Sequence, residues 1–136
     1  MNKLPPNPKQ LYGDKKPNLA LISPAMEIPL ALAMMDGMYK YGAYNFRNSP
    51  IEVMTYIAAA RRHLGLYLEG EEVAEDGVQH LGHVMACCAI LLDAKAAGTL
   101  IDNRPKPGSK GVHEEARVLI EKLKDLKAKR ESSSSV

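Results

Sequence analysis

The chain has 136 residues, a length that suits one domain built around one hydrophobic core. Apolar residues make up 46% of it and charged residues 25%, which is ordinary for a soluble globular protein and confines disorder to the ends. The net charge of +2 is too small to indicate a nucleic acid polymer as a partner.

The sequence also argues against a membrane protein. No apolar run reaches the roughly 18 residues of a membrane span, and the polar, proline-rich N-terminus is unlike a signal peptide. Cys87 and Cys88 are neighbours in an apolar segment, which is typical of small buried thiols in reduced surroundings. We therefore expect a cytoplasmic protein without a membrane partner.

The first part of the chain predicts an arm and then a helix. Residues 1–22 are rich in proline and charge, so we expect an extended arm without a core of its own. From Ser23 the residues favour a helix from about 25 to 41, and Gly42 stops it. A polar loop, "AYNFRNS", follows this first predicted helix.

Two further helices are predicted from their start signals. Ser49, Pro50 and Glu52 form a capping box with proline at the first helical position, so a second helix is expected from there to about Glu69. Asp76, with Gln79 three residues later, can cap a third helix that ends at Gly98. A short acidic turn, "GEEVAED", joins these two helices.

The last part of the chain predicts a fourth helix. Prolines and glycines indicate a loop over 101–111, and residues 112–130 form a highly charged helix whose narrow apolar side suits packing against a partner. We expect residues 130–136 to be a disordered tail. Because strand-like alternation is absent from the sequence, the prediction is an all-α fold, a four-helix antiparallel bundle over residues 23–129.

Residues 61–83 contain three of the four histidines and five of the carboxylates. The short turn between the second and third helices predicts antiparallel packing, which gathers these side chains at one corner. Helical bundles commonly build metal sites from such residues; the alternative is a solvated acidic corner with structural histidines. The candidate metal ligands are His63, Glu69, Glu71, Glu72, Asp76, His80 and His83.

Residues before the second helix suggest a place for a charged, flat ligand. Lys40, Asn45 and Arg47 offer donors, and the aromatic residues between them offer flat surfaces, a combination able to hold phosphates and a stacked base. Arg61 and Arg62 lie in mid-helix beside His63, so one of them should face inward toward an anion. The alternative is an ordinary surface loop.

Several of these segments resemble one family. "KYGAYNFR", "RRHLGLYLEGEE" and "HLGH" in helical context are similar to the phage-encoded dATP/dGTP diphosphohydrolases, a branch of the all-α, MazG-like nucleoside triphosphate pyrophosphohydrolases. The resemblance covers roughly residues 15 to 95. Two histidines, His80 and His83, stand where MazG-like relatives carry a second carboxylate pair, and imidazole ligands favour manganese over a magnesium-only site.

The resemblance implies an activity and roles for residues. The expected reaction is hydrolysis of a purine (deoxy)nucleoside triphosphate, dGTP or dATP, to the monophosphate and pyrophosphate, with two or three Mn²⁺ or Mg²⁺ ions as cofactors. It also implies a homodimer or homotetramer. The implied catalytic residues are Glu72, Asp76 and His80, and the implied substrate-binding residues are Lys40, Asn45, Arg47 and Arg62.

Two other classes of protein remain open at this point. A small helical binding or regulatory module would use the same histidines structurally and would release no pyrophosphate. A histidine-aspartate phosphohydrolase would release single phosphates, but it needs an adjacent His-Asp pair, which the sequence lacks.

Overall fold

The structure is a computed structural model that describes residues 3–134. The prediction of an all-α fold is confirmed, since the described residues are mostly helical and form little strand. The helices are α1 (Pro8–Gly13), α2 (Pro24–Tyr41), α3 (Val53–Leu68), α4 (His80–Ala97) and α5 (Lys110–Ser134), and the strands are β1 (Ile51–Glu52) and β2 (Leu100–Ile101).

The chain divides into two compact units, Met1–Asn103 and Arg104–Val136. The helical domain over residues 23–129 stays a prediction. The division falls within the loop that contains Pro105 and Pro107, where proline disfavours continued helix on either side. The first unit therefore holds three of the four predicted long helices, and the fourth forms the second unit.

In the first unit, α4 is the central helix and packs against both α2 and α3. The end of α3 lies beside the start of α4, where His63 meets His80. The beginning of α3 lies near the end of α4, where Tyr56 packs against a core cluster that contains Ala94. The two helices are therefore antiparallel, as their short connection predicts.

The buried core is small and lies near the end of α4. Phe46, Ile51 and Ala94 form its buried cluster, and Met34 from α2 and Ile90 from α4 pack against it. By length and composition α4 could cross a membrane, the one such helix among the described residues. Within the unit α4 packs against both α2 and α3, and 22% of this stretch is buried.

A close approach between backbones fixes the spacing of α2 and α4. A Cβ atom added to Gly82 of α4 would lie 2.5 Å from the carbonyl oxygen of Pro29 in α2. Any side chain at this position would collide with backbone, so only glycine permits this spacing.

A two-residue parallel strand pair joins distant parts of the first unit. Ile51 lies opposite Leu100 in register, and the Ile51 amide donates to the Thr99 carbonyl over 2.9 Å. This pairing corrects the predicted start of the second helix. Ser49 and Pro50 do not cap it, because residues 51–52 continue as strand and α3 begins at Val53.

Other helix boundaries are close to the predictions. α2 spans Pro24–Tyr41, and α4 ends at Ala97 with Gly98 in the left-handed region (φ 80°). The start of α4 differs, since Gln79 precedes it without a side-chain cap and Asp76 caps the Val78 amide instead. The connection between α3 and α4 is therefore longer than the sequence suggested.

Both chain ends contain more helix than predicted. Residues 3–22 are exposed, as expected of an arm without a core, but the arm is not wholly extended. Asn7 caps α1 and Asn18 caps a 3₁₀ turn at Leu19–Leu21, each by accepting from an amide two residues later. At the other end α5 continues through Ser134, into the tail predicted over residues 130–136, whose disorder stays a prediction; residues 135–136 lie outside the described residues.

Over residues 104–134, the described part of the second unit, the regular structure consists of the helix α5. None of the residues of α5 is buried. Ion pairs along its surface join Glu114 to Arg117, Glu121 to Lys124, and Lys127 to Glu131. It has the narrow apolar side that the sequence predicted, with Leu119 and Leu123 both exposed.

Candidate metal centre

The connection between α3 and α4 folds back as a small hairpin. Val73 and Gln79 form an antiparallel bridge, and the His80 amide donates to the Glu72 carbonyl over 3.0 Å. Gly77 turns the chain with φ of 80°, a backbone conformation that glycine adopts without strain. The hairpin tip therefore brings Asp76 back toward the first turn of α4.

Two carboxylates and an imidazole converge at this tip. One ligand atom each from Asp36 of α2, Asp76 of the hairpin and His83 of α4 lie within 4.8 Å of one another. His83 Nε2 is 3.0 Å from Asp76 Oδ2, so these two groups are hydrogen-bonded. A cation with bonds of about 2.1–2.5 Å requires donors at roughly this separation. The group is a possible metal-binding site.

The charge of the acidic pair is partly balanced by a lysine. Lys40 Nζ lies 2.9 Å from Asp36 Oδ2, one helical turn away on α2, and this hydrogen bond raises the pKa of Lys40 above its usual value of 10.5. Burial alone would raise the pKa of Asp76, but hydrogen bonds from the Val78 amide and from His83 outweigh it and hold that pKa below its usual value. Both carboxylates are therefore well suited to meet a cation.

A second group of histidines lies beside the first. His80 is 1% exposed, and both of its ring nitrogens have partners. Its Nε2 is 3.1 Å from Glu71 Oε2, and its Nδ1 is 2.8 Å from His63 Nδ1. The His63 ring stacks on the His83 ring with centroids 4.6 Å apart, which links the two groups.

Hydrogen-bond chemistry assigns the protons in this network. An ionised carboxylate only accepts, so Glu71 requires the proton of His80 to be on Nε2. In neutral His80 the Nδ1 atom then accepts, and His63 must donate from Nδ1. The Nε2 atom of His63 is left as an acceptor.

His63 is biased toward its neutral form. Partial burial lowers the pKa of His63, the neighbouring His83, His80 and Arg62 lower it further, and Asp76 opposes them. A neutral imidazole is the form that accepts a hydrogen bond or binds a metal ion.

A largely apolar cavity of about 510 Å³ lies between α2, α4 and the Asn45–Arg47 turn, and Asp36, Asp76 and His83 are not among the residues that line it. Met35 and Gly37, the two neighbours of Asp36 in α2, both line it, as do Asp93 of α4 and Tyr56 of α3. Its volume is within the range of small-molecule sites. Further rings and thioethers on its wall come from Met34, Met38, Tyr41, Tyr44 and Phe46.

The far rim of the cavity is formed by the 3₁₀ turn Asn45–Arg47. Tyr44, just before the turn, is the only non-glycine residue with positive φ among residues 3–134, at 56°. Arg47 lies over the Tyr44 ring, 4.6 Å from its centroid, and makes a two-point ion pair with Asp93 at 2.8 and 2.9 Å. Aromatic and charged surfaces therefore alternate on this rim.

Comparison with known proteins identifies the family. The sequence profile described as dATP/dGTP diphosphohydrolase, N-terminal, matches residues 6–104, well over half of the chain. The chain belongs to this family. No curated protein and no solved structure matches the chain.

Membership in the dATP/dGTP diphosphohydrolase family confirms the family resemblance noted in the sequence, and it supports a hydrolase acting on nucleoside triphosphates; the phage origin stays a prediction. The matched residues nearly coincide with the first unit, so the arm, the helices α2 to α4 and the candidate site belong to the family's domain. Helix α5 lies outside the match.

The residues predicted as metal ligands divide into three sets. Asp76 and His83 lie in the group that could hold an ion. His63, His80 and Glu71 form the adjoining hydrogen-bonded network. The other two side chains, Glu69 at the end of α3 and exposed Glu72, have no polar contact with either group among the described residues.

The residues predicted to bind substrate are split between two places. Lys40 lies at the acidic group through Asp36. Asn45 and Arg47 lie near Asp93, about 20 Å along α4 from His80 at 1.5 Å per residue. Arg61 and Arg62 are both exposed, so the prediction that one of them faces inward is wrong.

Sequence reasoning missed Asp36. It lies in an otherwise apolar stretch of α2, and its one local signal is the salt-bridge spacing to Lys40 four residues later. That spacing is common on solvated helix surfaces. Only the packing of α2 beside α4 shows that Asp36 reaches His83.

Proposed function

We propose that this protein hydrolyses a purine deoxynucleoside triphosphate, dGTP or dATP, to the monophosphate and pyrophosphate. The observation that carries the proposal is the convergence of Asp36, Asp76 and His83. A triphosphate needs a cation and a base needs an apolar, flat surface, and α2 contributes Asp36 to the first and several lining residues to a separate cavity of about 510 Å³. The family description supports the same substrates.

We propose that Asp36, Asp76 and His83 hold a divalent cation, Mn²⁺ or Mg²⁺. Two carboxylate oxygens with one imidazole nitrogen form a mixed donor set that Mn²⁺ accepts more readily than Mg²⁺ does. When bound, such an ion supplies Lewis acidity toward phosphate oxygens and lowers the pKa of water. The second and third ions implied by the family resemblance remain predictions.

Other charged side chains of the site are proposed to act on the triphosphate. Lys40 already pairs with Asp36 and can turn from that carboxylate to a phosphate oxygen when a cation neutralises the aspartate. Arg62 is exposed beside His63 and is the second cation near the cluster. Arg47, held by Asp93 at the far rim, is assigned to the base or sugar end instead.

We propose that the network of Glu71, His80 and His63 orients the site. His80 is buried and bonded at both ring nitrogens, so it positions His63 rather than binding an ion itself. Through ring stacking, His63 in turn supports His83. We retain Asp76 as a catalytic residue that binds the ion, and Glu72 has the weaker case because its side chain has no polar contact with either group among the described residues.

The base is proposed to enter the cavity between α2, α4 and the Asn45–Arg47 turn. Tyr44 and Phe46, with ring centroids 5.7 Å apart, offer surfaces for stacking, and Asn45 offers both a donor and an acceptor for base edges. Purines have the larger stacking surface, which suits a pocket of this size.

The test is product identification from the full chain. Each of the eight common nucleoside triphosphates is incubated with and without Mn²⁺, and the products are separated by chromatography. Monophosphate and pyrophosphate from dGTP or dATP, dependent on the ion, is the expected result. Release of single phosphates would indicate a phosphohydrolase of another kind, and no product from any nucleotide would favour the binding module.

A matched pair of variants then tests the site. Asp36→Asn should lower kcat/KM by about 100-fold or more, because it removes a ligand charge at nearly constant volume. Glu75→Gln makes the same chemical change at an exposed carboxylate of the same hairpin and should stay within about twofold of wild type. Equal activity in both variants would remove Asp36 from the mechanism.

The cellular setting is also a proposal. Both cysteines are free, and burial raises the pKa of the Cys87 thiol, which keeps it protonated and unreactive in reducing surroundings. This supports a cytoplasmic location. A homodimer or homotetramer is expected as well, given the exposed apolar side chains on α2 and α5.

A further inference from the structure

The apolar side of α5 repeats with the period of a coiled coil. Its residues are separated alternately by four and three positions, which aligns them along one side of the helix. The large members are 45–57% exposed. We call this stripe the α5 seam; it consists of Val112, Ala116, Leu119, Leu123 and Leu126.

No other helix or strand in the described part of its own unit packs against the α5 seam. The described part of that unit, residues 104–134, contains no other helix or strand, and no residue of α5 is buried. Most helical stability in proteins comes from packing an apolar face rather than from intrinsic helix propensity, so an uncovered seam leaves α5 without that contribution. A continuous seam of this kind is typical of a helix that pairs with another helix.

The charges of α5 fall into two groups that differ in their pairing. On the side away from the seam, Arg117 pairs with Glu114, and Lys124 pairs with Glu121. Four charges flank the seam directly: Lys127 pairs with Glu131, whereas Glu115, Lys122 and Lys129 make no ion pair among the described residues. These last three charges are therefore available to a partner helix.

We propose that α5 pairs with α5 of a second copy of this chain, in antiparallel orientation. That orientation places Glu115 opposite Lys129 of the second copy, and the twofold symmetry repeats this opposite-charge pair. Ile120 of one copy contacts Ile120 of the second copy near the twofold axis, which increases the apolar area of the interface. One like-charge contact, between the two Lys122 side chains, lies on the other side of the axis.

The parallel orientation is less favourable by the same argument. It places Lys122 opposite Lys127 of the second copy twice and brings no opposite charges together across the seam. The antiparallel pair has two attractive contacts and one repulsive contact, and the parallel pair has two repulsive contacts. Because α5 lies outside the residues matched by the family, this pairing does not depend on the proposed enzymatic activity.

The first experiment compares two neighbouring substitutions in the full-length chain. Leu119, in the seam, and Val118, outside it, are 55% and 50% exposed, so a chain that remains single should tolerate Leu119→Asp and Val118→Asp equally. The proposal expects Leu119→Asp to raise the dissociation constant by about 30-fold or more, while Val118→Asp changes it little. Sedimentation equilibrium measures both, and circular dichroism confirms helical content.

The second experiment exchanges the flanking charges. Glu115→Lys and Lys129→Glu should each weaken association severalfold, and the double variant should restore it, because the exchanged pair is again opposite in charge. The two residues are 14 positions apart in one helix, about 21 Å, so they cannot compensate each other within one copy. Restoration therefore requires two antiparallel helices.

Three results would overturn the proposal. A wild-type chain that stays monomeric, with a Leu119→Asp variant that is merely less stable, would mean that the seam docks on its own chain. Equal effects of the Leu119 and Val118 substitutions would mean that the seam is uncovered. Failure of the double charge exchange to restore association would exclude the antiparallel register.

Discussion

At the start of α4 the buried side chain is the imidazole of His80, whereas near its end the buried side chains are the methyl group of Ala94 and the ring of Phe46. The first end is held together by hydrogen bonds among Glu71, His80 and His63. The second is held by apolar contacts. The start of α4 is therefore held mainly by hydrogen bonds, which are directional, and its end mainly by apolar packing, which is not.

This difference predicts whether a substitution should change turnover or the free energy of unfolding. A polar network constrains geometry closely but contributes modest net stability, because its groups are also well solvated in the unfolded chain. Apolar burial contributes more stability with less directional control. Changes at the start of α4 should therefore affect turnover first, and changes at its end should affect the free energy of unfolding first.

The largest effect on stability is expected at the apolar end. Ile51→Ala should lower the free energy of unfolding by about 2–5 kcal/mol, because it opens a cavity beside Phe46 and Ala94. Ile51→Val, which removes one methylene, should cost about 0.5–1.5 kcal/mol. Urea unfolding measures both. If turnover per folded molecule also fell sharply, the separation of the two ends would fail.

At the polar end the larger effect should be on activity. His80→Ala should reduce turnover by about 100-fold or more, equivalent to about 2.7 kcal/mol of barrier, while helical content stays near wild type. The stability cost should be about 1–3 kcal/mol, since His63 and Glu71 lose their shared partner. Steady-state kinetics and circular dichroism give the two values; full activity would remove His80 from the site.

The contact between α2 and α4 tests the spacing that brings Asp36 to His83. Gly82→Ala should destabilise the protein by about 1–3 kcal/mol, because its Cβ would collide with the Pro29 carbonyl. Gly65→Ala is the matched control: no atom lies within 4 Å of its Cβ position in α3, and it should stabilise by about 0.5–1 kcal/mol. Thermal unfolding of the pair distinguishes crowding from helix propensity.

The smallest effect is expected at the Arg47–Asp93 ion pair. Arg47 hydrogen-bonds to Asp93 and holds its pKa below the ordinary value of 3.8, so this contribution to stability is present above that value and is lost as pH falls through the lowered pKa. Asp93→Asn should lower the melting temperature slightly at neutral pH, and the difference should disappear in acid. A difference that grew in acid would contradict this assignment.

Local sequence signals predicted most of the helical fold. α2 ends before Gly42 and α4 ends before Gly98, as expected from the conformational freedom of glycine at helix ends. The capping box at Ser49 was overridden, because Ile51 pairs with Leu100, a partner 49 residues away. No local pattern contains that information.

The candidate site was predictable to the extent that its residues lie close together in sequence. His80, His83 and Asp76 are within eight residues, and helix periodicity with a short turn is enough to bring them together. Asp36 reaches the same place only through the contact of α2 with α4. Arg47, which the resemblance implies as a substrate-binding residue, forms an ion pair with Asp93, and its role stays a prediction.

The pairing of β1 with β2 has a consequence for how the first unit folds. Residues 51 and 100 close a loop that contains both helices α3 and α4, while the turn at residues 69–79 brings the same helices together locally. Closing a long loop costs more chain entropy than closing a short one, so the helical hairpin should nucleate at its turn and the strand pair should join last. Weakening the strand pair should then accelerate unfolding and leave the refolding rate nearly unchanged.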